Sequence, residues 1–133
     1  MGAWGHGSFD NDDAMDWLQE FDGAGAAAAT NALSHVTSLN DGDYLEAPEA
    51  SMALAAAELV AAAPTGDSSN LPADAGPMLA QHQQSLTGAA LVDAARRAVA
   101  RVLKESELKD LWEDSPDKQA WQDGVQDLLS RLR

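Results

Sequence analysis

Asp10, Asp12, Asp13 and Asp16, with Asn11 among them and His6 just ahead, are the densest set of chemically capable side chains in the chain. Hard divalent cations take several oxygen ligands and an imidazole can join them, so the first chemistry to weigh is metal binding. The spacing argues against it. An EF-hand loop counted from Asp10 requires a glycine at its sixth position and a bidentate glutamate at its twelfth, and the chain has Met15 and Phe21 there. Capping and dipole compensation at one helix start explain the same acids without a metal, so neither a metal nor a cofactor is expected. A second chemistry would pair Asp10, Asp12 or Asp13 with Glu46 or Glu49 for general acid/base work, which requires them to converge in one pocket. The three histidines, His6, His35 and His82, lie too far apart for a local ligand motif, and no G-x-S-x-G or P-loop is present. Gly5-His6-Gly7 shares only a G-x-G with nucleotide-binding turns and has no strand ahead of it.

The elements that must position these residues are helices. The 133 residues include 27 alanines, no isoleucine and no cysteine. That composition favours helix over strand and removes disulfides, thiolate metal sites and a cysteine nucleophile. A chain of this length suits one domain, and the expectation is a single all-α domain over 1–133, a compact bundle of about five to seven helices with an extended N-terminal lead-in. No secretory leader is recognised in the first residues and the most apolar stretch, 50–63, is too short and polar to span a bilayer, so a cytoplasmic location is expected.

Charge is unevenly placed. Residues 1–95 hold fourteen acids and no Lys or Arg, while residues 96–133 hold eight acids and all eight basic residues. The formal net charge of −14 therefore belongs to the first part. Direct binding to nucleic acid or to an anionic membrane is disfavoured, and a basic protein partner is the complementary expectation.

Along the chain, Asp10 reads as the N-cap of a first helix, Phe9 as its staple, Ala14, Trp17, Leu18 and Phe21 as its inner face, and Gly23 as its stop. A second helix is expected over 26–39. A third has Pro48 in its first turn and two apolar stripes, which makes it central; Glu58 lies outside both stripes and is expected in solvent. Residues 64–77 carry the densest turn chemistry and form the main loop. A weak helix over 78–85 precedes a regular amphipathic one opened by Thr87 and running through Lys104. Ser106 starts a short helix with Leu108, Leu111 and Trp112, and Ser115-Pro116 opens a last one with Trp121, Val125, Leu128, Leu129 and Leu132 inward.

Three blocks carry a resemblance: Trp4-Gly5-x-Gly7-x-Phe9-Asp10-Asn11-Asp12-Asp13-Ala14-x-Asp16-Trp17, Tyr44-Leu45-Glu46-Ala47-Pro48-Glu49-Ala50, and Ser106-Glu107-Leu108-x-x-Leu111-Trp112. The chain resembles the bacterial domain of unknown function 4259 family over nearly its whole length. That resemblance implies no activity, cofactor or catalytic residue. The position of His6 is often tyrosine in that family, which tells against a ligand role, and Gly76-Pro77 suggests a longer loop at 64–77 here. Once capping and packing are accounted for, the candidate functional surface is Trp4, Asp10, Asn11, Asp12, Asp13, Glu46 and Glu49. The leading expectation is an interaction or regulatory module; the alternatives are a carboxylate enzyme and an acidic mimic of nucleic acid.

Overall fold

A helix with no polar side has to be surrounded, and the residues 47–62 are such a helix. In the computed structural model, which describes residues 5–132, seven α-helices form: α1 Asp12–Ala24, α2 Ala26–Thr37, α3 Ala47–Ala62, α4 Ala75–His82, α5 Ala89–Lys104, α6 Glu107–Glu113 and α7 Lys118–Arg131, with one 3₁₀ turn at Gln83–Leu86. The fold is all-α with a non-helical lead-in. α3 is buried on every side from Ala53 to Val60 and packs against α1, α2, α5, α6 and α7. Its alanines at 53, 55, 56 and 57 are fully covered, which lets neighbouring helices approach closely. The remaining buried side chains join them in one contiguous cluster, including Trp17, Trp112 and Trp121.

Several boundaries differ from the sequence reading, each for a local reason. Asn11, not Asp10, caps α1: its Oδ1 accepts from the Ala14 N–H at 2.8 Å. α1 runs past Gly23 to Ala24 and stops at Gly25, whose φ of +63° is the left-handed backbone that glycine adopts without strain. α2 ends at Thr37, two residues before Leu39. The loop after α3 is shorter than 64–77, because Gly76 and Pro77 lie in the first turn of α4, where a missing N–H costs nothing. Thr87 does not open α5; its hydroxyl donates to the Gln84 carbonyl and Gly88 stands at the cap. α7 begins at Lys118 because the Ser115 hydroxyl accepts from Asp117 N–H, making a turn of the stretch read as the first helical residues.

One helix start is completed by a remote group, and one connection is fixed by another. Glu46 stands at the cap position of α3 without a side-chain hydrogen bond, and the Ala47 N–H is taken instead by Glu107 Oε1 at 2.8 Å. Ser106 caps α6 as its sequence suggests, accepting from Lys109 N–H. Arg101, on α5, donates to the carbonyls of Asn40 and Asp43 and so fixes the α2–α3 connection.

Candidate functional site

The lead-in is folded against the bundle by specific polar contacts. Asp10 Oδ2 accepts from Gly7 N–H at 3.1 Å, and a Cβ at either Gly5 or Gly7 would meet that carboxylate at 2.6 or 2.7 Å. A side chain at either position would displace the Asp10 carboxylate from its bond to Gly7 N–H. Ser8 donates its hydroxyl to Glu58 Oε2 at 2.8 Å, while Arg131 Nη1 donates to Glu58 Oε1 at 2.9 Å and its Nε to Asp127. Glu58 is only 6 % exposed, which corrects its expected place in solvent. A helix apolar all round leaves no solvated position, so its one mid-helix acid had to find a cation inside. Burial alone would lower the Arg131 pKa, but the hydrogen bond and charge of Glu58, then those of Asp127, hold it above its ordinary value. The guanidinium stays charged. The sequence signal was available: a lone acid in an apolar helix, and a cation-bearing amphipathic helix at the far end of the chain.

The acids of the candidate surface are not brought together. Asp10 borders an open recess of about 420 Å³ shared with Ser69, Leu71 and Pro72. Asn11 and Asp13 border a small cavity of about 30 Å³ over Ser51, Trp112 and Trp121, with room for little more than a water molecule. Asp12 and Glu46 are exposed, and Glu49 lines a separate groove with Trp17 and Glu20. Trp4 is outside the described residues. Among the described residues no three His, Asp or Glu side chains are grouped to hold a metal ion.

Two surfaces remain. The first is the outer face of α1, where Asp12, Asp13, Asp16, Glu20 and Asp22 are all exposed and none is in an ion pair among the described residues. The second is the groove of about 290 Å³ between α1, α2 and α3 that holds Glu49. Its floor contains Trp17, 3 % exposed, together with Glu49 and Met52; Glu20, Asn31 and His35 form the rim. Trp17 is held by stacking on Phe21, 5.6 Å between ring centres, and Phe21 meets the His82 ring edge-on at 5.2 Å. Packing fixes the indole, yet its Nε1–H and the buried Glu49 Oε2 have no hydrogen-bond partner. The sequence marks Trp17 as a core anchor and does not show that its N–H is left without a partner. Its four-residue offset from Phe21 marks a core face, and nothing in the pattern marks where the N–H points.

A family model described as a domain of unknown function (DUF4259) matches residues 2–124. No curated protein and no solved structure matches the chain.

Proposed function

The chain belongs to the DUF4259 family, whose description assigns no activity, and on its geometry we propose that it is a protein-interaction module that engages a basic partner along the outer face of α1 in the bacterial cytoplasm. The observation that supports this reading is the set of α1 carboxylates left without cations. The ion pairs among the described residues use Glu58, Asp93, Glu105, Glu113 and Asp127, and none uses α1. Stability does not account for the arrangement. Asp12 and Asp13 suit the positive end of the helix dipole, but Asp22 sits in the last turn, where negative charge is unfavourable and no basic residue offsets it. A row of unneutralised acids on a rigid helix raises the association rate of a cationic surface and repels phosphates. The lack of cysteine accords with a reducing compartment.

The test is affinity capture from the native host at low salt, comparing three proteins. These are the wild type, an α1 variant carrying Asp12→Asn, Asp16→Asn and Glu20→Gln, and a charge-matched control carrying Asp41→Asn, Asp74→Asn and Asp114→Asn. A partner held by the wild type and the control, lost by the α1 variant and released by salt, is the expected result. Equal retention by both variants, or no partner at all, overturns the reading.

A further inference from the structure

We infer that the groove between α1, α2 and α3 is a binding site for a small organic cation, a guanidinium or primary ammonium that also carries a hydrogen-bond acceptor. Two residues that line the groove, Trp17 and Glu49, each carry one buried polar atom without a partner. An indole Nε1–H can only donate and an ionised carboxylate can only accept, so an occupant satisfying Trp17 and Glu49 together must bring one acceptor and one donor. Leaving either group unsatisfied in a buried position is unfavourable, and native interiors rarely do so without a partner.

The charge of the walls fixes which donor. Glu49 in the floor and Glu20 at the rim are the charged side chains of the groove, and no Lys or Arg lines it. An anion is excluded, and a cationic donor gains a charge-assisted hydrogen bond to Glu49. Met52 and Ala32 supply apolar wall for the short aliphatic stem that joins cation to acceptor. The volume of about 290 Å³ is at the lower end of small-molecule sites and suits an occupant of amino-acid size. Either a free amine-type metabolite or the basic side chain of a protein, with its own main-chain carbonyl as acceptor, has this chemistry. The site itself does not depend on the α1 interaction proposed above.

The indole proton provides the readout. In the full chain labelled with ¹⁵N-tryptophan, the Trp17 Nε1–H resonance is assigned with Trp17→Phe. Arginine amide is then titrated at constant ionic strength, with citrulline amide as the uncharged isostere, both acetylated at the α-nitrogen so that the side chain carries the only charge. A saturable shift of the Trp17 resonance with arginine amide, and not of the Trp112 and Trp121 resonances, is expected. Citrulline amide and the Glu49→Gln variant, its melting transition intact, should each weaken binding by roughly tenfold or more, the effect of one charge-assisted hydrogen bond. A blocked Gly-Arg-Gly peptide that binds at least as well as arginine amide assigns the site to a protein side chain, and exclusion of the peptide assigns it to a free metabolite. No saturable shift, an equal shift with citrulline amide, or unchanged binding by Glu49→Gln overturns the inference, leaving the two groups to water or to each other. Capture of a protein partner along α1 by a chain whose Trp17 resonance shows no saturable shift would leave the α1 reading standing while this one fails.

Discussion

Glu58 is the side chain on which the lead-in, the central helix and the last helix all depend, since Ser8 and Arg131 both donate to it. Removing one member of a buried ion pair strands the other, so Glu58→Gln should destabilise the fold by about 3 kcal/mol, the low end for buried pairs because Arg131 keeps some contact with water. Urea denaturation measures it. Asn11→Ala should cost about 1 kcal/mol by loss of the cap on α1, read in the same way. The residue scale was only partly legible in the sequence. Asp10 and Asn11 are adjacent and both are good caps; tertiary placement decides between them, because Asp10 is drawn onto Gly7 N–H over a backbone kept bare by two glycines. Its spacing marks Trp17 as core, but the position of its N–H relative to Glu49 depends on how three helices meet.

At the scale of elements, periodicity together with cap and turn residues locates the helical stretches. The stripe Ala14, Trp17, Leu18 and Phe21 and the stripe Trp121, Val125 and Leu128 are buried as their spacing requires. Ends were less legible wherever a distant group completes them. Gly25 is the sharpest stop in the chain, and Gly25→Ala should lower stability by at least about 1 kcal/mol, both through its positive φ and because a Cβ would meet the His82 ring at 2.6 Å. A drop in the thermal midpoint, with helical circular dichroism retained below it, is the expected reading. The start of α3 is finished by Glu107, whose pKa is lowered first by its hydrogen bond from the Tyr44 hydroxyl and then by the Ala47 N–H. Tyr44 is correspondingly pushed up to about 12, chiefly by that same bond. A carboxyl lowered in the folded state stabilises most above its ordinary value, 4.5 for this group, and the contribution disappears as pH falls through the lowered one. Melting temperature should therefore fall with acidification in that window, and Glu107→Gln should flatten the fall while lowering the midpoint at neutral pH.

For the whole molecule, the excess of acid over base is a mechanical load as well as a recognition surface. Unpaired carboxylates on α1 repel one another at low ionic strength and are screened by salt. Sodium chloride should raise the melting temperature at neutral pH, and the triple change Asp16→Asn, Glu20→Gln and Asp22→Asn should raise it at low salt and reduce the response. Thermal melts across a salt series check both. The imbalance could be counted in the sequence, as could the all-helical class. The scattering of Asp10, Asp13 and Glu49 into three separate recesses could not, because it follows from the packing angles around α3. The ion pair of Glu58 with Arg131 also bears on time. Its two partners lie 73 residues apart, and a ribosome delivers them in that order. Until the last helix emerges, the central helix carries a carboxylate that no nearby cation can neutralise, so the nascent chain has reason to wait. Assembly should then be late and concerted, with ribosome-held chains remaining open to protease until a C-terminal spacer carries residues 118–131 out of the exit tunnel, and becoming resistant in one step when it does.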